Sequence, residues 1–197
     1  MYVVRFGVLV VAFASATANT VLAQQALVIK PLAEKKIPAL PEGPLFWRIE
    51  TFPTAADAQS AASATSLVAE SAGKAWLFTL GAAGGNTPGG TRMAEVGPIP
   101  RIDAAEYLLR INEATGAPGA VTPIHSHPGS EAFYVLRGEQ SIRGRQATLR
   151  VQAGQAEAGS GADQPMQVSS SGATDLHALV MFVVDAKRPF SSPAALP

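Results

Sequence analysis

The sequence predicts an all-β chain folded as one sandwich or barrel, and three observations carry that expectation. From Met93 onward, short apolar runs alternate with turn residues: AEVGPIP, AEYLLRINEA, EAFYVLRG, QATLRV, PMQV and LHALVMFVVDA. That spacing suits short strands joined by tight connections. Gly at 18 and Pro at 15 supply many turns. At 197 residues, with 47% hydrophobic and 15% charged side chains, the chain has the size of one domain and too apolar a composition for disorder.

Taken in order, residues 1–23 read as an export signal. Arg5 precedes an apolar run from Phe6 to Ala16, and Val21-Leu22-Ala23 before Gln24 fits the small-residue cleavage rule. The run is shorter than the roughly 20 residues a membrane span needs. Cleavage would leave a secreted or periplasmic protein with no membrane attachment. It would carry one net negative charge, because Arg5 leaves with the signal.

Residues 24–92 form an N-terminal part expected to pack on the barrel. Gln24 to Pro44 holds four prolines, which exclude a long helix and predict an extended arm that crosses the body or reaches a partner subunit. Pro44 to Phe52 and Lys74 to Leu80 read as strands. Between them, the Ala-rich stretch Thr54 to Ser71 predicts a helix, with Thr54 as N-cap and Gly73 just past its end. Gly81 to Gly90 is a Gly-rich loop. A phosphate-cradling loop needs a lysine and a hydroxyl after its glycines, then a helix. Thr91-Arg92-Met93 follows instead, so a surface loop is expected. Residues 93–188 make the barrel and 189–197 an extended C-terminal tail.

Composition excludes several classes of function. Lys plus Arg equals Asp plus Glu, at 15 each, so the basic excess of a nucleic-acid binder is missing. Trp47, Trp76, Tyr107 and Tyr134 are too scattered for a base-stacking platform. With no cysteine there is no disulfide, thiolate metal site or Cys nucleophile. Asp175 and His177 would share a strand face, but a serine hydrolase would want a Gly-x-Ser-x-Gly elbow and none occurs. Arg137, Arg143, Arg145 and Arg150 read as a solvated outer sheet face.

Chemistry concentrates in Gly119 to Gly138, GAVTPIHSHPGSEAFYVLRG. His125 and His127 alternate, so an extended backbone projects both from one face. Glu131 follows the Pro128-Gly129 break. Two imidazoles and a carboxylate make a facial triad with open positions, a set suited to Fe(II) and usable by Mn or Zn.

This stretch resembles the first motif of the cupin superfamily: a glycine, five residues, His-x-His, three or four residues, a glutamate, six residues and a glycine. Gly119, His125, His127, Glu131 and Gly138 meet every interval. The resemblance implies a cupin-like jelly-roll β-barrel, here with an extended N-terminal arm and one short helix. It also implies one divalent transition metal (Fe, Mn, Zn, Cu or Ni) on His125, His127 and Glu131. The second motif of the superfamily adds a third histidine, which this chain lacks. Met166 stands nearest that position, though it could simply fill space, and Gln164 would share its strand face. His177 opens the last strand and could point inward with Leu179, Met181 and Val183, or equally be a satisfied structural histidine. These three are the candidates for a fourth ligand or pocket residue. The expected function is an exported metal-dependent enzyme, oxygenase-type or isomerase-type, acting on a small organic molecule. The alternative is a non-catalytic module binding a sugar or organic acid. A homodimer with exchanged arms fits the dimers common among cupins.

Overall fold

The computed structural model describes residues 25–197, so the signal-like segment 1–23 lies outside the described residues. Strand β1 (Val28–Ile37) is followed by β2 (Leu45–Phe52), helix α1 (Ala55–Ala61), β3 (Ser66–Ser71), β4 (Lys74–Gly81) and β5 (Thr91–Ile99). The chain continues through β6 (Tyr107–Gly116), β7 (His125–Ser126), β8 (Gly129–Arg137), β9 (Glu139–Arg143), β10 (Thr148–Gln152) and β11 (Ala156–Ala158). It ends with β12 (Gln167–Ser170), β13 (Leu176–Asp185) and β14 (Ser192–Pro193). No helix among the described residues is long and apolar enough to cross a membrane.

The strands form three layers. A central five-stranded sheet runs β1-β6-β13-β8-β11. On one side, β10-β9-β12 and the short pair β14-β7 complete the jelly-roll barrel; on the other lies a four-stranded sheet, β3-β4-β2-β5. Side-chain alternation assigns the faces. From β13, Ala178, Val180, Phe182 and Val184 pack with Ile142, Val151 and Val168 inside the barrel. The alternate residues Leu179, Met181 and Val183 pack with Trp47, Trp76 and Phe78 of the four-stranded sheet. Burial on both faces explains why β13 reads as one continuous apolar run.

Two expectations change at this level. The arm follows one of its two expected courses: β1 pairs antiparallel with β6 from Val28↔Thr115 to Ile37↔Tyr107, crossing the body as a sheet edge. Its register shifts between Pro31 and Ala33, where proline has no N–H to give the ladder. The helix is shorter than Thr54 to Ser71. Thr54 caps it as expected, its hydroxyl accepting from the Asp57 N–H at 3.1 Å. The second half is strand β3, because Leu67 and Ala69 alternate into the intersheet core opposite Phe78 and Trp76. Pairing with β4 outweighs the helix preference of alanine. Ala72 and Gly73 form the two-residue turn between them, both at positive φ. Strand β5, expected in the barrel, pairs with β2 instead.

Candidate functional site

The segment carrying the histidines is laced to both of its neighbours. Thr122 N–H donates to the Val168 carbonyl, and His125 exchanges both backbone hydrogen bonds with Met166, at 2.9 and 2.8 Å. Gly119 and Gly138, which bound the motif, have φ of +85° and +77°, backbone that a side chain would strain. Gly138 makes the turn that sends the chain from β8 into β9.

His125 and His127 lie together, with ring centroids 4.9 Å apart and planes at 84°. His125 Nδ1 is 2.8 Å from the Pro123 carbonyl oxygen, and His127 Nδ1 is 2.7 Å from that of Phe190. A carbonyl only accepts, so each Nδ1 carries a proton, and in the neutral ring Nε2 then keeps its lone pair. This is the tautomer a metal ligand needs. Burial lowers the His127 pKa to about 4, with the Phe190 carbonyl opposing. Glu131, on β8 opposite Phe182, is 2% exposed, and its Oε1 has no hydrogen-bond partner. Burial pushes its pKa up to about 8.

These three side chains line one cavity of about 350 Å³. The walls are mainly apolar, with Phe133, Val180, Phe182 and Phe190 prominent, and Asn112 and Gln140 add two amides. The donor chemistry fits a divalent cation: two imidazoles whose Nε2 atoms have no hydrogen-bond partner among the described residues, and an unpartnered carboxyl oxygen. Among the described residues, no three His, Cys, Asp or Glu side chains are gathered closely enough to form a metal cluster.

The other candidates lie elsewhere. Met166 shares backbone bonds with His125, but its side chain is buried in the barrel core and does not line the cavity. Gln164 is exposed in a separate surface cleft beside Arg145, its amide 3.5 Å from the Ala162 carbonyl. His177 does share a face with Leu179, Met181 and Val183, but that face turns to the four-stranded sheet, away from the barrel interior. Its Nε2 meets Glu113 Oε1 at 2.8 Å and Ser71 Oγ at 3.1 Å. A hydrolase triad puts the acid on the opposite ring nitrogen from the serine, so this cluster is a brace between sheets. Asp175 faces Arg137 at 3.7 Å. Arg137, Arg143, Arg145 and Arg150 are exposed, and none lines the cavity.

Sequence reasoning missed Asn112, Gln140 and the C-terminal segment. The amides had a signal: each is a polar residue at an inward position, with Ala114 or Ile142 two residues on. The tail is a strap. Arg188 makes a double ion pair with Asp163 at 3.0 and 2.7 Å, and β14 pairs with β7. Phe190 packs on His127 and Phe182 at centroid distances of 4.8 and 5.0 Å.

A family model described as the cupin domain matches residues 112–182, from β6 to β13. Several solved structures are similar over part of the chain. A cupin-like protein from Thermotoga maritima is 17% identical, with 45% of this chain and 65% of that chain covered and a TM-score of 0.40. A DMSP lyase from Ruegeria pomeroyi is 20% identical, with 44% and 43% covered and a TM-score of 0.38. A polyketide cyclase from Streptomyces resistomycificus is 22% identical, with 45% and 62% covered and a TM-score of 0.37. The chain spans less than two thirds of the length of each of these three. No curated protein matches it.

Proposed function

We propose that this chain, a member of the cupin superfamily by its domain at residues 112–182, is an exported protein that binds one divalent transition metal and acts on a small organic molecule. The observation that supports the metal is the paired anchoring of His125 and His127, which leaves both Nε2 atoms free in the cavity that also holds Glu131. His125 and His127 are the first two ligands and Glu131 the third. A metal held by three side chains supplies Lewis acidity and open positions for substrate, as oxygenase-type and isomerase-type reactions require. The chain's own part is to keep each imidazole in one tautomer, to exclude water with the Phe182 and Phe190 rings, and to orient the substrate with two amides.

Elemental analysis of protein recovered from its native compartment, with the first residue sequenced, tests this reading. The expected result is a chain beginning at Gln24 with close to one metal ion. In the His125→Ala/His127→Ala variant, loaded in parallel with Fe(II), Mn(II), Zn(II), Cu(II) and Ni(II), retained metal should drop about tenfold or more. Equal retention by variant and parent would sink the proposal. The second reading is a small-molecule binding module that needs no metal. It is favoured by the lack, among the described residues, of a gathered three-ligand cluster. Ligand binding unchanged by chelator, with no turnover under any of the five metals, selects it.

The strap gives a further expectation. Deleting residues 189–197 removes the carbonyl that holds His127 Nδ1, so metal affinity should fall by about 10–100-fold. Phe190→Ala keeps that carbonyl and should cost only a few-fold. Competition with a chromogenic chelator measures both, and equal losses would show that the ring, not the carbonyl, positions His127.

A further inference from the structure

We propose that the cavity selects an uncharged molecule with a flat apolar body and one hydrogen-bonding group, and that Asn112 and Gln140 recognise that group. The inference rests on the reading of this cavity as the binding site but not on the metal.

The amides carry the argument. Asn112 belongs to β6 in the five-stranded sheet and Gln140 to β9 in the three-stranded sheet, so the two line the cavity from opposing walls. Asn112 is 3% exposed and Gln140 fully buried. Asn112 Oδ1 and both Gln140 amide atoms have no hydrogen-bond partner among the described residues. A buried amide atom left unpaired keeps the cost of its desolvation with nothing to offset it. Three such atoms beside one cavity, among walls that are mainly apolar, mark a place where a bound group completes the bonding. Amides offer both donors and acceptors, so they suit a hydroxyl, an oxo group or a carboxamide equally.

The walls decide the rest. Among the described residues, no Lys or Arg lines the cavity. The neighbouring cation, Arg110, lies 4.1 Å above the Phe190 ring and is paired with Glu34, and it is not part of the lining. In the metal-free chain, a phosphate or carboxylate brought here would lose its hydration with no fixed positive side chain in the lining to replace it. Phe133, Phe182 and Phe190 present ring faces and edges to a flat apolar body.

The test uses the full chain treated with chelator and four probes followed by fluorescence: naphthalene, 2-naphthol, 2-naphthoate and 2-naphthyl phosphate. 2-Naphthol should bind about tenfold more tightly than naphthalene, the worth of one or two good hydrogen bonds. It should bind about a hundredfold more tightly than either anion. Asn112→Leu/Gln140→Leu should erase the preference for 2-naphthol over naphthalene and leave naphthalene binding intact, which also reports that the variant is folded. Gln140→Met is the milder substitution if the double variant loses naphthalene as well. Equal binding of 2-naphthol and naphthalene by the parent overturns the role of the amides. Binding of the phosphate as tightly as of 2-naphthol overturns the charge selection. If no probe binds, the inference falls, whereas the metal proposal stands or falls separately on retention by the histidine variant.

Discussion

Stripped of metal by chelator, the protein should lose about 1–2 kcal/mol of stability between pH 6.5 and pH 8, and Glu131→Gln should abolish that loss. The sign follows from burial. Glu131 ionises near 4.5 in the unfolded chain but holds its proton to about 8 when folded. Over that interval the unfolded state binds fewer protons, so rising pH favours unfolding. Across the whole interval the single carboxyl costs about 5 kcal/mol at one pH unit per 1.36 kcal/mol. His127 acts in the other direction. It stays neutral in the folded state down to about 4, whereas the unfolded chain protonates it below 6.5. Its contribution is therefore lost as pH falls from 6.5 to 4. From 4.5 to 6.5 the two slopes oppose and stability is flat; above 6.5 only the Glu131 slope remains. Urea midpoints at half-unit pH steps measure this, and a parent curve flat from 6.5 to 8 refutes it. In the proposed metal-bound state Glu131 is ionised, so the decline disappears and metal affinity rises with pH until about 8.

What the sequence made legible and what it did not divide along physical lines. The motif from Gly119 to Gly138 was legible because each position answers a local demand. Two glycines hold positive φ, alternation aims two histidines one way, and a carboxylate stands on the inward face of the next strand. The placement of His177 was not legible, because alternation fixes which residues share a face and not what that face meets. Its partners Ser71 and Glu113 come from strands distant in the chain. The same limit hid the four-stranded sheet as a layer of its own. A clue was present in β13, whose unbroken apolar run demands cover on both faces and so implies more than a barrel wall. The helix ran too long because alanine favours helices locally, while Leu67 and Ala69 gain more from the intersheet core. The tail gave no periodic signal at all. Its place over the cavity depends on an ion pair to Asp163 and a two-residue strand pairing.

Trp76→Ala should cost about 3–5 kcal/mol, in the range of large-to-small substitution of a buried aromatic. Trp76 is 1% exposed, lies 6.2 Å from Phe78 and meets Tyr134 of the five-stranded sheet edge-on at 6.0 Å. Its indole N–H donates to the Ser71 carbonyl at 2.9 Å, a bond that alanine also removes. For a protein of ordinary stability, about 5–15 kcal/mol, this is a large share of the total. The form of the transition matters as much as its midpoint. Leu179, Met181 and Val183 belong to the sheet that carries the cupin motif, yet they are buried by Trp47, Trp76 and Phe78. Loosening the four-stranded sheet therefore exposes the back of the wall that positions Glu131 on its other face. One cooperative urea transition, shifted as a whole and followed equally by tryptophan emission and by strand circular dichroism, is the expected result. Two separated transitions, or a loss below about 1 kcal/mol, would mean that the N-terminal sheet is dispensable to the barrel. With a shared core it is instead the outer support of the site, and a barrel cut free of residues 25–99 should aggregate through the uncovered face of β13.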